Sequence, residues 1–201
     1  MTKRIVIALL ALLPLLATAQ DNTWEQAAPG TNPEQKYLQG AVPEVDGRVM
    51  FEATIKAPGK TRKQIYETVV SELKRMTKEP GQLEQSRIVL TDSTGYSQAV
   101  ASFQEWLVFK STALVLDRTR LFYTIIADIN DGEAKLKMTR IYYLYDEERN
   151  PTTYQAEEWI TDRYGLTKKM NKLARVSGKF RRKTIDRKDY IFNRFNDLLN
   201  K

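Results

Sequence analysis

The 201-residue sequence contains no cysteine and no histidine. The first absence removes disulfides, thiol nucleophiles and the lipid-modified cysteine of a lipoprotein. The second removes Ser–His–Asp and Cys–His catalysis and, with the first, zinc sites built on His and Cys. Any enzyme on this chain must work with Asp/Glu, Lys, Tyr or Ser–Lys chemistry, and no cofactor, metal site or catalytic residue is predicted. Long apolar runs are missing too. The longest, Ile5 to Leu16, has 12 residues, short of the roughly 20 a spanning helix needs, so no transmembrane anchor is expected. Charge of one sign is not extreme: 32 Lys+Arg stand against 25 Asp+Glu, a formal net charge of +7. The distribution of that surplus therefore matters more than its sum. There is no internal repeat and no low-complexity tract.

What is present begins with the first twenty residues. Lys3 and Arg4 precede the apolar run, and Ala17 and Ala19 form a small-x-small site after it. This pattern reads as a secretory signal peptide over residues 1–19, cleaved at Ala19–Gln20. A periplasmic or secreted protein that is not a lipoprotein is the expectation. Residues 20–47 read as an extended leader and 48–147 as an α+β domain. Residues 148–201 read as a helical, basic C-terminal extension packing on that domain.

Within the domain, Val49, Phe51, Ala53 and Ile55 alternate with polar neighbours and predict a strand. Thr61-Arg62-Lys63-Gln64 fits a capping box, and Ile65, Val69, Leu73 and Met76 follow at helical spacing up to Pro80-Gly81. Strands are predicted over 87–91, 96–110, 114–129 and 135–145, with Asn130-Asp131-Gly132 as a hairpin turn. In the second of these, Phe103, Leu107 and Phe109 lie on one parity and Val100, Trp106 and Val108 on the other, which predicts a bulge or partial burial of both faces. Asn150-Pro151 closes the β region. A short helix is predicted over 155–164 with Gly165 at its C′ position, and a terminal helix over 186–199. The order is β-α-β-β-β-β-α-α: an antiparallel sheet of about five strands with helices on one face, an α+β fold.

Several segments resemble one family. They are Lys36-Tyr37-Leu38, the run Gly40 to Gly47 (GAVPEVDG), Glu105-Trp106-Leu107-Val108-Phe109 and Leu116-Asp117-Arg118-Thr119-Arg120. The chain is similar in these to domain-of-unknown-function family 4468, exported bacterial proteins with a TATA-binding-protein-like fold, with the family domain over about Phe51 to Arg140. Ala156 to Asp162 and Ser177 to Asp186 resemble a C-terminal extension found in some members. The resemblance implies a fold and supplies no activity and no catalytic residues. Fold does not fix function, and nucleic acid is not an expected partner of an exported protein.

The densest feature is the basic stretch Lys168–Lys188, in which Asp186 is the one acid. Lys179, Arg181, Arg182 and Lys183 form a candidate anion-binding site for a polyanion or an anionic membrane surface, weighed against a merely solvated face. Trp106, Tyr143 and Trp159 form a candidate aromatic groove, weighed against burial in the core. Asp146, Glu147, Glu148, Glu157 and Glu158 are the carboxylates a hydrolase would draw on. Arg118 and Arg120 share a strand face with Phe122. The sequence therefore supports three readings, led by a non-catalytic binding or interaction module of the bacterial envelope with an unknown protein or ligand as partner. An electrostatic binder using residues 168–188 is the second, and a carboxylate-based hydrolase the third.

Overall fold

In the computed structural model, residues 22–25 and 34–201 are described. The predicted signal peptide and part of the leader lie outside them. The strands are β1 (Glu44–Val45), β2 (Arg48–Val49), β3 (Phe51–Lys56), β4 (Arg87–Thr91), β5 (Gln98–Ser111), β6 (Leu116–Asn130), β7 (Glu133–Tyr145) and β8 (Thr152–Gln155). The helices are α1 (Arg62–Met76), the single turn α2 (Asp162–Gly165) and α3 (Gly178–Leu199), with short 3-10 turns over Gln35–Tyr37 and Ala156–Glu158. β1 and β2 form a small hairpin. The other six strands form one antiparallel sheet in the order β3-β7-β6-β5-β4, with β8 also on β7. The chain is thus a mixed α+β fold with a mostly antiparallel sheet.

Local chemistry explains the framework. The Thr61 hydroxyl accepts from the Gln64 amide at 3.4 Å while the Gln64 side chain accepts from the Thr61 amide at 2.9 Å, so two orphan donors of α1 are satisfied. Asp131, in the β6–β7 turn, accepts a third from the Arg62 amide at 2.7 Å. Ile65, Val69, Leu73 and Met76 are all buried, so the predicted stripe faces the sheet. Along β5, Ala99, Ala101, Phe103, Glu105 and Leu107 point inward. The register on β6 then slips between Val108 and Lys110. This bulge produces the parity shift in the sequence, and the half-exposure of Val100 and Trp106 adds the second cause. A second irregularity in β7 falls at Arg140, whose φ is 55°. Below it β7 pairs with β3, and beyond it with β8.

α1 and α3 pack on the inward face with Ile125, Leu136, Met138 and Tyr143. The ring of Phe180 at the start of α3 lies against Phe109, Tyr143, Tyr145 and Trp159, with centroids 4.6–5.7 Å apart.

Three elements differ from the sequence reading. The β region does not end at Pro151: β8 follows and completes the free side of β7. The 155–164 helix is a 3-10 turn and a single helical turn. Gly165 lacks a positive φ; it is small because a Cβ there would meet Ile160 O and Arg181 Cδ at 2.8 Å. The terminal helix begins at Gly178, eight residues before the predicted start. Its inward positions include Arg181, Thr184 and Arg187, which hid the apolar period.

Candidate functional site

The basic stretch divides at Gly178. All seven cations of α3 have a carboxylate within 4.0 Å. Lys179 meets Asp117 at 2.6 Å, Arg181 meets Asp162 at 2.7 Å, and Arg182 meets Glu34. Lys183 meets Glu25, Lys188 meets Asp189, and Arg194 meets Glu72 at 3.1 Å. Arg187 meets Glu105 at 2.7 Å and Glu79 at 2.8 Å.

Two of these arginines are wholly buried. Arg181 donates to the carbonyls of Tyr37, Leu38 and Ile160 as well as to Asp162. It ties α3 to the segment before β1 and to the turn before α2. Arg187 lies beneath the rings of Trp24 and Tyr190, each centroid 5.3 Å from its Cζ. Burial pushes the Glu105 carboxyl up, and Arg187 opposes it. Glu79 holds the same guanidinium from its other side at 2.8 Å, so the buried cation is shared between two carboxylates. Glu72 shows the same contest: burial raises it, but Arg75 and Arg194 outweigh burial and hold it below the ordinary carboxylate range. Burial and Asp186 together push Tyr37 up to about 12; its hydroxyl donates to Asp186 at 2.8 Å.

The four residues of the candidate anion site therefore do not converge. Arg181 points into the core, and Lys179, Arg182 and Lys183 each pair with a different distant acid. The sequence did carry a signal for this arrangement. Glu105 stands at an inward position of an otherwise apolar alternation, which calls for a buried cation.

The loop before α3 is different. Arg163, Lys168, Lys169, Lys172 and Arg175 are exposed, and among the described residues none has a carboxylate within 4.0 Å. No acid occurs between Asp162 and Asp186. The loop is ordered by its backbone. Leu166 bridges Leu173, Thr167 N donates to Lys172 O at 2.9 Å, Met170 N donates to Thr167 O at 2.8 Å, and Ala174 N donates to Gly165 O at 2.9 Å. Gly165 and Gly178 close its ends, each packed too tightly to admit a Cβ without movement. Tyr164, Met170 and Val176 are exposed among the cations.

The aromatic trio is also divided. Tyr143 is buried and hydrogen-bonds the Thr184 hydroxyl at 2.6 Å, and burial raises its pKa. Trp159 stacks on Tyr154 at 3.9 Å. Trp106 lies on the opposite face of the sheet, its ring covered by the Arg118 guanidinium at 3.7 Å.

That outer face is half-exposed. Val100, Trp106, Phe122, Ile126, Tyr142 and Leu144 line it, and Phe122 and Tyr142 stack at 4.2 Å. At one end the face runs into a groove of about 540 Å³. The β5–β6 hairpin supplies one wall, with Leu114, 95% exposed, followed by the exposed Val115 and Leu116. The β7–β8 loop supplies the other, with Asp146, Glu147 and Glu148. Glu147 is held by Arg120 at 2.8 Å, and Asp117 by Lys179 and by the Tyr145 hydroxyl at 2.9 Å. Glu157 accepts the Val49 amide at 2.9 Å and does not join the groove. Among the described residues, no group of three or more acidic side chains stands close enough to hold a metal ion, and no helix is long and apolar enough to cross a membrane.

The described residues thus form an antiparallel sheet backed by helices on one face and half-exposed on the other. Residues 51–144 match the model of the domain of unknown function (DUF4468) with TBP-like fold. A crystal structure of a DUF4468 family protein from Bacteroides ovatus is 37% identical, with a TM-score of 0.75 over 84% of this chain and 95% of that one. The chain belongs to this family. A TBP-like protein from Parabacteroides distasonis, 16% identical, shares the fold with a TM-score of 0.62 over 79% of this chain and 96% of that one. No curated protein matches the chain.

Proposed function

We propose that the protein is an exported, non-catalytic interaction module of the bacterial envelope that holds its partner on the open face of the sheet. One observation carries this reading. The β5–β6 hairpin leaves Leu114, Val115 and Leu116 in solvent beside a groove lined by Trp106 and Leu144. Contiguous exposed apolar surface at the edge of a polar-rimmed groove marks a contact site. The buried, shifted groups Glu72, Glu105 and Arg187 lie away from the groove and are spent on holding α1, β5 and α3 together.

The test is native mass spectrometry of the protein purified gently from its own envelope, beside the Leu114→Asp/Leu116→Asp variant. A bound protein or ligand mass that the variant loses supports the reading; a bound mass that survives in the variant moves the contact elsewhere.

The groove also favours a second reading, since it brings Asp146 and Glu148 to one wall as exposed carboxylates. A carboxylate hydrolase would turn over a glycan or ester, and Asp146→Asn/Glu148→Gln would abolish that turnover. Reproducible turnover lost in that variant would replace the interaction reading.

A further inference from the structure

We infer that the segment Arg163–Val176, the end of α2 and the loop that follows it, is a contact for the surface of an anionic phospholipid bilayer. The inference is independent of the sheet-face reading, because the base of this loop packs on α3 at Arg181 and none of its residues lines the groove.

Three observations carry it. First, the loop's charge is uncompensated. Arg163, Lys168, Lys169, Lys172 and Arg175 have no carboxylate within 4.0 Å among the described residues, whereas every cation of the following helix has one. Clustered Lys and Arg with no acid among them are drawn to anionic headgroups. Second, Tyr164, Met170 and Val176 stand exposed between these cations. A bilayer surface rewards both kinds of side chain at once, with ammonium and guanidinium groups at the phosphates and apolar groups in the acyl boundary. A soluble polyanion rewards only the first. Nucleic acid would want several open aromatic faces, and Tyr164 is the one aromatic residue between Arg163 and Val176. Third, the loop is pre-shaped. The Leu166–Leu173 bridge, the four-bond frame of Arg181 and the two crowded glycines fix its base, so docking would order little chain and lose little entropy.

The measurement is co-sedimentation of the processed protein with vesicles of phosphatidylcholine alone and of phosphatidylcholine with a third phosphatidylglycerol. Binding is expected only to the second and should weaken as salt rises. At about five-fold per cation, Lys168→Gln/Lys169→Gln/Lys172→Gln/Arg175→Gln should weaken it by on the order of 100-fold or more. Met170→Ser/Val176→Ser, which leaves charge unchanged, should weaken it about ten-fold. Arg182→Gln/Lys183→Gln removes two paired cations and should leave it within about two-fold. Absence of binding to phosphatidylglycerol vesicles overturns the inference, as does undiminished binding by the four-fold variant. A proportionate loss in Arg182→Gln/Lys183→Gln would assign the attraction to overall charge. Full binding by Met170→Ser/Val176→Ser, with polyphosphate competing as well as vesicles do, would make the loop a polyanion site and not a lipid one.

Discussion

The segment Arg163–Val176 and the helix Gly178–Leu199 carry cations at comparable density, and the fold uses them in different ways. In the helix every cation meets an acid. Most of these partners are far away in sequence: Arg187 finds Glu79 and Glu105, Lys179 finds Asp117, and Arg182 finds Glu34. In the loop the cations face water. Density of charge along a sequence therefore does not separate structural cations from available ones. What separates them is whether the topology brings a distant carboxylate alongside.

The contrast can be broken most sharply at Arg187. Arg187→Met should strip the buried Glu105 of its cation and cost about 3–5 kcal/mol in denaturant unfolding. Replacing the pair together, Glu105→Leu/Arg187→Met, should recover most of that loss, because no uncompensated charge remains. If the double variant is as unstable as the single one, the pair is not the unit that matters.

Next comes Arg181, whose guanidinium serves three carbonyls and Asp162. Arg181→Lys should cost about 2–3 kcal/mol despite keeping the charge, since an ammonium cannot reproduce the planar fork. A stability change of only a few tenths would show that charge and not geometry is at work there.

A smaller effect, about 1–3 kcal/mol, is expected for Gly165→Ala, where the new methyl would press on Ile160 O and Arg181 Cδ. Thermal unfolding followed by circular dichroism would measure it. On the loop side of the comparison, the four-fold Lys/Arg→Gln variant at 168, 169, 172 and 175 should shift stability by no more than about 0.5 kcal/mol. A large loss would mean that these side chains have structural partners after all.

The smallest effect concerns a turn remote from both regions. Asp92 accepts from the Ser97 hydroxyl and from the Gly95 and Ser97 amides, and these bonds lower its pKa to about 2. Its folded value lies below the unfolded value of about 3.9. The stabilisation is therefore fully present above that value and fades as pH falls toward 2. Carboxyl-carbon NMR should place its titration midpoint near 2; a midpoint near 4 would mean that the turn does not hold the carboxylate.

How far the sequence could be read follows from the same physics. The capping box of α1 and the strand expected over 135–145, observed as Glu133–Tyr145, announced themselves, because local bonding and apolar alternation decide them. The start of α3 did not. Its inward positions at Arg181, Thr184 and Arg187 are polar, and no apolar period survives that. β8 is four residues long and follows a proline, so it exists only because β7 offers it an edge. Trp106, Tyr143 and Trp159 read alike as aromatics, and only strand parity and the closing of the sheet put Trp106 on one side and Tyr143 on the other.

The positive φ of Arg140 has one more consequence. By dividing one flank of β7 between β3 and β8, it lets two short strands cover that flank in turn. The far border of the sheet is β4, and it is interrupted at Val89. Among the described residues the sheet thus presents no long, straight border for another chain to extend. A protein with a broad half-open face is in this way protected from stacking side by side into fibres, and contact is directed onto its surfaces.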